Sequence, residues 1–461
     1  MVENGVLHVD QIGAKGDGRF DNARVLQRAV MTPGVEEIRF GPGVYVVGET
    51  ITIDNQHLQI VGAGTDNTMI TSRGKRVFHV RENPVYEGVY QQAITPGTSR
   101  LALRRTGTIH PGQLLHVSSD EGMLETTSGG YTSHFTARIE SAGRTGVRLT
   151  DTTEIAFKPG AKVEVSEPSS FTLSHLSIAA EKALYMVTIH QRSEVRIDNV
   201  HFQGSDRVFM GEYLRDPARG ISAIAVYGCY DVQVDSCQFD YLWYGLMAHE
   251  GCAGVSLTNS KANYCRHINN NGVGTRYFLV ADCIAYQCAG GFDSHETALH
   301  TVIRNCQDID PRGISKFRGR RDEVYHCVFQ GDIEFRTDPG LHAFADKETF
   351  IYKKLINTTV HGKTILAAGN VVVDSCSFYG PVHPYANSGS VEILNSTIDV
   401  STMEVIEVPA LTLADGAAKE KYAFTLKNVE VSGPGARGAA ELGVYLPMKP
   451  GATGRIEGLV V

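Results

Sequence analysis

A repeat of 23 residues is the feature that most constrains how this chain folds. Five β-rich segments begin at this interval, VQVDSC at Val232, VSLTNS at Val255, FLVADC at Phe278, TVIRNC at Thr301 and VYHCVF at Val324. VRIDNV from Val195 and VVVDSC from Val371 follow the same pattern. A period in the low twenties is typical of a stacked solenoid, in which each turn of the chain buries one face against its neighbours. We therefore predict stacked coils of about 23 residues.

Cysteine recurs at one position of the repeat. The sixth position of the rows holds Cys237, Ser260, Cys283, Cys306 and Phe329, and later Cys376. Cysteine is among the most buried residue types, so this column predicts small side chains stacked in a core rather than catalysis. The adjacent column is polar, and we expect it to form corners that bond the backbone; it holds Ser236, Asn259, Asp282 and Asn305. The nine cysteines form neither CxxC pairs nor a zinc spacing, which favours buried free thiols and synthesis in a reducing compartment.

The N-terminal region indicates which kind of solenoid this is. LHVDQIGAKGDGRFDNARVLQRAV predicts a strand, a glycine-rich turn and a short amphipathic helix, and GPGVYVV and VGAGTDNT follow it. These motifs resemble the entry to right-handed parallel β-helices of the pectate-lyase-like superfamily, which includes bacteriophage tailspikes. The resemblance extends in repeat style from about Val6 to Val400. It implies an all-β, single-stranded right-handed parallel β-helix whose short helix caps one end, a homotrimer, and a secreted or virion-associated location.

The period divides the chain into four parts. We predict an N-terminal cap with the first coils in residues 1–95 and the main β-helix with an active-site face in residues 167–400. Between them, residues 96–166 hold several strands without the period, and we expect a small β-barrel-like insertion that braces one end or binds glycan. Residues 401–461 lose the period again and are predicted to form a β-rich C-terminal cap.

Charge and composition exclude several classes of function. The net charge is −8 and the isoelectric point is near 6.1, so we expect no nucleic-acid partner. No stretch approaches the ~20 apolar residues of a membrane span, and MVENGVLHVDQ lacks the basic and apolar regions of a signal peptide. We predict no metal site and no cofactor. The aspartate set of a pectate-lyase calcium site is not evident, although a divalent cation such as calcium remains an alternative.

The last strand of each coil predicts a functional face. The rows are GLMAHEG, INNNGVG, GFDSHET and ISKFRGR, starting at Gly245, Ile268, Gly291 and Ile314. Alternate side chains of a strand point to opposite faces. One set is mostly core-like, namely Leu246, Ala248, Asn269, Asn271, Phe292, Ser294, Ser315 and Phe317. The other set is polar or charged and should face outward, namely Met247, His249, Asn270, Gly272, Asp293, His295, Lys316 and Arg318.

Neighbouring coils lie about 4.8 Å apart, so the 23-residue spacing becomes lateral adjacency. We expect His295 one coil from Arg318, Asp293 one coil from Lys316, and His249 two coils from His295. These four residues, Asp293, His295, Lys316 and Arg318, are the predicted catalytic group. A cationic cluster on an acidic protein suggests an anionic polymer as ligand, since guanidinium groups match carboxylates and phosphates.

The predicted reaction is β-elimination on an acidic polysaccharide. His295 would be the base, because its ordinary pKa is near neutrality, and Lys316 and Arg318 would neutralise the uronate. Asp293 would orient a basic partner. The swollen turn from Gly204 to Gly220 would form a substrate wall. The predicted substrate-binding residues are His249, Glu250, Glu296, Arg312, Arg320, Tyr213, Arg215 and Tyr244, the last as a stacking platform or a packing residue.

Three alternatives remain at this point. Hydrolysis needs two carboxyls, although the polygalacturonase motifs NTD, GHG and RIK are absent. The candidates are Asp293, Glu296, Glu250, Asp308, Asp310 and the acids of the swollen turn, Glu212 and Asp216. Cleavage of a teichoic-acid-like phosphodiester would also use cations and a histidine. A non-catalytic glycan- or receptor-binding β-helix would need none of this chemistry. In that case Asp293 and Lys316 would form an exposed ion pair contributing at most about 1 kcal/mol.

Overall fold

The computed structural model divides the chain into two compact units, Met1–Phe278 and Leu279–Val461. It describes residues 2–73, 76–103, 106–124, 131–180, 185–205, 220–336, 352–384, 389–399, 411–412, 422–432, 444–445 and 453–457. Long ladders of parallel strands give the chain the fold of a right-handed parallel β-helix, as predicted. The strand Arg276–Ala281 contains the boundary between the two units.

In the first unit, three parallel ladders alternate along the chain. The first contains Val6–His8, Glu37–Arg39, His57–Val61, Ser170–Ala180, Glu194–Gln203, Tyr230–Asp235 and Ala253–Thr258. The second contains Asp17–Asp21, Gly43–Val47 and Thr68–Ser72, shares the two long strands Ser170–Ala180 and Glu194–Gln203, and continues with Gln238–Asp240 and Lys261–Asn263. The third contains Ile51–Ile53, Phe78–Val80, Tyr185–His190, Ser222–Tyr227, Tyr244–His249 and His267–Asn271.

The second unit also contains three parallel ladders. The first contains Thr301–Arg304, Arg321–Tyr325, Tyr352–Ile356, Asn370–Asp374, Gly389–Leu394, Tyr422–Lys427 and Thr453–Glu457. The second contains Ile284–Tyr286, Gln307–Ile309, Val328–Phe329, Thr359–Val360, Ser377–Phe378, Thr397–Asp399 and Glu430–Ser432. The third contains Asp293–Ser294, Ser315–Phe317, Ile333–Arg336, Thr364–Ala367, Val382–Pro384, Leu411–Thr412 and Val444–Tyr445.

The predicted core columns are confirmed, with one correction of register. All nine cysteines are buried and free. The sequence placed Thr301 opposite Val324 and Phe329 in the cysteine column, and both assignments are wrong. Ile303 pairs with Val324, and the Cys306 amide donates to the Cys327 sulfur, because this coil is two residues shorter than the period. Phe329 instead pairs with Asp308 in the second ladder.

The polar column forms corners in a strained backbone conformation. Ser236, Asn259, Asp282 and Asn305 all have positive φ, between 49° and 56°. Asn and Asp tolerate this left-handed region better than other residues with a Cβ, which explains why they recur there. Their side chains also bond along the stack, since the Asn305 amide donates to Asp282 Oδ1 at 3.1 Å.

An antiparallel sheet interrupts the parallel ladders of the first unit. In sheet order its strands are Arg100–Leu101, Gly146–Leu149, Tyr131–Gly143, Leu114–Leu124, Ala161–Ser166 and Tyr86–Tyr90. The sheet packs on the coils at glycines, because a Cβ at Gly274 would lie 2.5 Å from the carbonyl oxygen of His134. The buried Arg276 donates to the carbonyl of Thr136 and lies 4.2 Å from the ring centroid of Phe135.

The helical elements are short. The predicted helix spans Ala23–Val30 and buries its apolar face, and single turns of 3-10 helix occur at Val9–Ile12 and Thr106–Thr108. Within the described part of the chain, none of the helices is long and apolar enough to span a membrane.

Candidate active site

Two short strands of the second unit carry the predicted catalytic group. Asp293–Ser294 and Ser315–Phe317 are parallel neighbours, with Asp293 opposite Lys316 and Ser294 opposite Phe317. The inward Ser294 side chain accepts hydrogen bonds from the backbone amides of Arg318 and Gly319, at 3.0 and 3.2 Å. The predicted adjacency of these two strands is therefore confirmed, and Ser294 fixes the backbone that carries Arg318.

Four ionisable side chains meet where these strands end, and we call Asp293, His295, Glu296 and Arg318 the acid–imidazole cluster. Arg318 Nη2 donates to Asp293 Oδ1 at 2.8 Å, and its Nη1 donates to Glu296 Oε1 at 3.1 Å. On the other side, His295 Nε2 lies 3.1 Å from Asp293 Oδ2 and Nδ1 lies 3.5 Å from Glu296 Oε2. One guanidinium and one imidazole thus bridge the same two carboxyl groups.

The four side chains differ in their access to solvent. The Asp293 side chain is only 1% exposed, whereas those of His295 and Arg318 are 20% and 18% exposed. The sequence placed Asp293 on the outward face, and the structure shows that its carboxyl group is nevertheless buried because His295 and Arg318 contact it. A ligand in contact with this cluster would therefore meet the imidazole, the guanidinium and the edge of Glu296.

The cluster changes the protonation of its histidine. Burial alone lowers the pKa of His295, but the charge of Asp293 and hydrogen bonds to Asp293 and Glu296 oppose it and raise the pKa above 6.5. The positive charge of Arg318 counteracts this increase only in part. His295 therefore keeps its proton to a higher pH than an isolated histidine does.

Lys316 stands beside the cluster without joining it. Its backbone is in register with Asp293 on one side and Glu334 on the other, and its side chain is half-buried. The exposed Asp293–Lys316 ion pair that the sequence allowed is wrong, because Asp293 is buried and pairs with Arg318 and His295. Among the residues that the structure describes, no carboxylate forms an ion pair with Lys316, so its ammonium group can meet an anionic ligand.

A buried ion pair supports the cluster from inside the coil. Lys353 and Asp322 are 0% and 2% exposed, and their charged atoms lie 2.5 Å apart. Lys353 also donates to the carbonyls of Phe317 and Gly319, the residues on either side of Arg318. Burial lowers the pKa of Lys353, and Asp322 opposes this. Sequence analysis missed Lys353, although the alternation in YKKLI around the buried Leu355 indicates that it faces inward.

A second buried carboxyl group lies inside the unit. Asp308 occupies an inward column between Ala285 and Phe329, and it accepts hydrogen bonds from the Ser315 hydroxyl at 2.8 Å and the Gly291 amide at 3.3 Å. Burial raises the pKa of Asp308 to about 6, and these two hydrogen bonds oppose the shift. Asp308 is 1% exposed, so it cannot be the substrate-facing carboxyl of a hydrolase.

The remaining cationic predictions of the second unit lie outside the cluster. Arg312 is exposed and donates to Gln287 Oε1 at 3.3 Å. Arg320 is half-buried, and its backbone amide bonds to the carbonyl of Ala298. The assignment of both arginines as substrate-binding residues stays a prediction.

The predicted residues of the first unit have contacts of their own. His249 Nε2 lies 2.9 Å from Asn270 Oδ1. Tyr244 stacks on His267 with ring centroids 5.8 Å apart, and its hydroxyl accepts from Arg266 at 3.2 Å, so the structure favours its packing role. Tyr213 and Arg215, in the swollen turn, lie outside the described residues.

Glu250 follows His249 at a φ of 56°, and burial raises its pKa. The same ladder carries a histidine–tyrosine stack that sequence analysis missed. His190 and Tyr227 are opposite each other in register, with stacked rings 4.7 Å apart, and Tyr227 is in turn opposite His249. Burial, with the positive charges of His79 and Arg76, lowers the pKa of His190 to about 4. The 23-residue rows begin after this coil, so the period gave no signal for these residues.

Metal ligation finds no support in the described ranges. There, no group of three or more His, Cys, Asp and Glu side chains is arranged to hold a metal ion. In the acid–imidazole cluster, Arg318 contacts both carboxylates and supplies the positive charge between them.

One family model matches part of the chain. It is described as rhamnogalacturonase A/epimerase, pectate lyase-like, and it matches residues 6–205. No curated protein sequence matches the chain. The match lies within the first unit, whereas the acid–imidazole cluster lies beyond the matched residues.

Solved structures of phage tailspikes share the fold of the chain. The phi297 tailspike gp61 of a Pseudomonas phage is 13% identical with a TM-score of 0.65, over 98% of this chain and 76% of that one. The tailspike gp49 of Pseudomonas phage LKA1 is 12% identical with a TM-score of 0.61, over 99% and 81%. The gp54 tailspike of Acinetobacter baumannii bacteriophage AP22 is 11% identical with a TM-score of 0.56, over 96% and 79%. At these identities the similarity shows a common fold.

Proposed function

We propose that this chain depolymerises an acidic polysaccharide by β-elimination at the acid–imidazole cluster. The observation that carries the proposal is the position of His295, held at Nε2 by the buried Asp293 and partly exposed beside the cation Lys316. Perturbed ionisable groups that converge on one face of a rigid scaffold are typical of catalytic sites. The pectate-lyase-like family match and the tailspike fold support an activity on polysaccharides.

Asp293 gives His295 a defined tautomer. A carboxylate 3.1 Å from Nε2 favours the proton on that nitrogen, which leaves Nδ1 as the basic atom. The contact of Nδ1 with Glu296, at 3.5 Å, is a long and therefore weak hydrogen bond of the protonated ring, so a substrate can replace it. The same carboxylate stabilises the imidazolium that forms when Nδ1 accepts a proton.

Lys316 is the cation that suits the uronate carboxylate. Arg318 already contacts Asp293 and Glu296, so we assign it to positioning these two groups rather than to neutralising the substrate. An ammonium group beside the uronate stabilises the negative charge that develops when the adjacent carbon loses its proton.

In this reaction His295 Nδ1 takes the proton from the carbon next to the uronate carboxyl group. The electron pair of that C–H bond becomes a C=C bond, and the C–O bond to the leaving sugar breaks. The imidazolium then returns its proton to the leaving oxygen, so charge and atoms balance. Both proton transfers occur on one side of the polymer, which suits a site whose acid–base groups all belong to one small cluster.

Hydrolysis at the same site is the second candidate, and the carboxyl pair Asp293 and Glu296 favours it. A hydrolase needs two carboxyls that flank the bond, ~5 to 9.5 Å apart, with access to the sugar or to water. The burial of Asp293 counts against this role, since the carboxyl group cannot reach a substrate. Elimination instead uses the partly exposed imidazole of His295 together with the ammonium group of Lys316.

The location of the protein, the source of its substrate and its assembly are also proposals. The AP22 tailspike is solved in complex with an Acinetobacter baumannii capsular saccharide. By analogy of fold, we propose that this chain acts on a bacterial surface polysaccharide as part of a virion, or as a secreted protein, and that it assembles as a homotrimer.

The test is to incubate the protein with a panel of acidic polysaccharides and to follow viscosity, reducing ends and near-ultraviolet absorbance together. Elimination lowers viscosity and creates an unsaturated uronate that absorbs. New reducing ends without absorbance would indicate hydrolysis, and no change across the panel would leave only glycan binding. His295→Asn should abolish the absorbance change, with Arg304→Gln as an active control that removes an exposed charge outside the cluster.

A further inference from the structure

The antiparallel insertion of the first unit contains a cleft of about 530 Å³ that has no role in the proposed reaction. Its walls are the strand Arg100–Leu101, the strand Gly146–Leu149 and the end of Tyr131–Gly143, with Tyr90 and Gln92 beside them. A volume of this size is within the ~300–1,000 Å³ range of small-ligand sites.

Two arginines lie side by side in the wall of this cleft. Arg100 and Arg148 are directly opposite in the antiparallel register, so their side chains lie on the same face of the sheet. Like charges directly opposite each other destabilise a strand pair. Arg148 Nε lies 2.7 Å from Glu140 Oε2, which compensates one of the two charges. For Arg100, the described residues provide no ion-pair partner.

The other wall residues supply space and neutral hydrogen-bonding groups. Arg148 is also in register with Ser141 on its other side, which places a hydroxyl on the same face as both guanidinium groups. A Cβ at Gly146 would lie 2.3 Å from the carbonyl oxygen of Leu101, so glycine allows these two strands to lie close together. The wall thus combines two cations with small polar groups, as recognition of a charged sugar requires.

We propose that this cleft binds the carboxylate of an acidic sugar between Arg100 and Arg148. Guanidinium groups bind carboxylates through paired hydrogen bonds, and an anion between them removes the repulsion in the empty pair. Ser141 and Gln92 then contact the sugar hydroxyls. The proposal concerns binding by the insertion and holds whether or not the second unit cleaves a polymer.

The binding test uses the full chain with glucuronic acid, galacturonic acid, glucose and inorganic sulfate as probes, at constant ionic strength. NMR of the arginine Nε–H groups should show shifts for both uronic acids, with dissociation constants on the order of 1 mM, a typical value for two such contacts. Glucose should cause none, and sulfate should bind at least about threefold more weakly. Equal binding of sulfate would overturn the sugar specificity, and no effect of either uronic acid would overturn the site.

Variants separate this site from general charge effects. Arg100→Gln should weaken uronic-acid binding at least about tenfold, whereas Arg144→Gln, at the exposed tip of the same hairpin, should keep it within about twofold. Without ligand at low salt, Arg100→Gln should raise the melting temperature, because it removes the repulsion. A lower melting temperature, or equal loss of binding in both variants, would contradict the proposal.

Discussion

His190 and His295 occupy corresponding ladders in the two units, and their pKa values shift in opposite directions. Both are largely shielded from water, which by itself favours the neutral form. His190 is surrounded by His79, Arg76 and the Tyr227 ring, so its pKa falls to about 4. His295 lies between Asp293 and Glu296, and its pKa rises. The charges next to each histidine, rather than the fold, therefore decide whether its pKa falls or rises.

This comparison explains why His295, rather than His190, suits the acid–base role proposed for the second unit. A histidine that stays neutral to about pH 4 is a hydrogen-bonding and stacking group throughout the physiological range. A histidine held near its protonation equilibrium by a buried carboxylate can accept and return a proton. The following changes disturb the partners that create this difference.

The largest effect should come from Arg318→Met. It removes the cation shared by Asp293 and Glu296, and one of these carboxyls is fully buried. Leaving buried charge without its partner typically costs about 3–5 kcal/mol. We expect the free energy of unfolding, measured in urea, to fall by this amount, and polysaccharide cleavage to fall at least about 100-fold.

The matched control for this experiment is Arg304→Met, because Arg304 is an exposed arginine on a strand of the same unit. It should change stability by less than about 0.5 kcal/mol. An Arg318 variant as stable as this control would show that the two carboxylates do not depend on the guanidinium.

Asp293→Asn should make His295 resemble His190. The amide keeps the size of the carboxyl group but removes the charge that raises the pKa of His295, so burial should prevail and the pKa should fall. NMR titration of the His295 ring in both proteins measures the change. If cleavage is an elimination with His295 as base, activity in the parent protein should rise as the pH passes upward through the raised pKa.

The direction of that pH dependence separates the two candidate reactions. In the Asp293→Asn variant, the rise should move to lower pH while the maximum rate falls, because the tautomer is no longer fixed. A rate that decreases through the same pH range would show that His295 must keep its proton, which excludes it as the base of an elimination. An unchanged His295 pKa would refute the account of its environment.

The decrease in the free energy of unfolding at acidic pH should depend in part on His190. Its folded pKa, about 4, lies below the ordinary 6.5, so the unfolded chain binds more protons between these values. Its contribution to stability is therefore fully present above about pH 6.5 and is lost as the pH falls toward 4. His295, with a raised pKa, contributes in the opposite sense, fully below about pH 6.5 and less as the pH rises through its folded value.

His190→Gln should accordingly reduce the loss of stability between pH 7 and pH 4.5, measured by urea unfolding at both values. Part of the loss will remain, because burial also lowers the pKa of His116 and His134, to about 3 and 4. His8→Gln, at an exposed position, is the control and should leave the difference between the two pH values unchanged. A His190 variant that behaves like this control would show that the stack does not hold its histidine neutral.

The sequence predicted the strand ladders well, because in a β-helix residues that are one repeat apart in sequence lie opposite each other on neighbouring coils. Where the coils keep 23 residues, Val232 lies opposite Val255 and Asp293 opposite Lys316, as the rows require. The prediction failed at the coil that begins at Thr301, since a loss of two residues in a turn changes the register without changing the strand pattern. Turn length therefore limits how far the repeat alone can be extended.

The sequence predicted which residues lie together in the candidate site, but it did not predict which of their side chains form ion pairs. Alternation put Asp293, His295 and Arg318 on one face, and the structure brings all three together with Glu296. Alternation could not show that Arg318 reaches across to two carboxylates, because this depends on side-chain length and rotamer. Nor did it show that Lys353 supports the Arg318 backbone, since a charged residue inside a coil is rare without a partner from another strand.

The smallest structural effect, but an informative one, should come from Lys316→Gln. The ammonium group has no carboxylate partner within the described ranges, so its loss should change the free energy of unfolding by less than about 0.5 kcal/mol. If it neutralises the uronate, kcat/KM on the cleaved polysaccharide should nevertheless fall about tenfold or more, and more steeply at low salt, where a single charge is screened less. Lys354→Gln, which removes the same charge from a residue 3.7 Å from Glu323, should not reproduce this loss. Equal activities of the two variants would mean that the cation opposite Asp293 takes no part in the reaction, and the case for elimination would then rest on His295 alone.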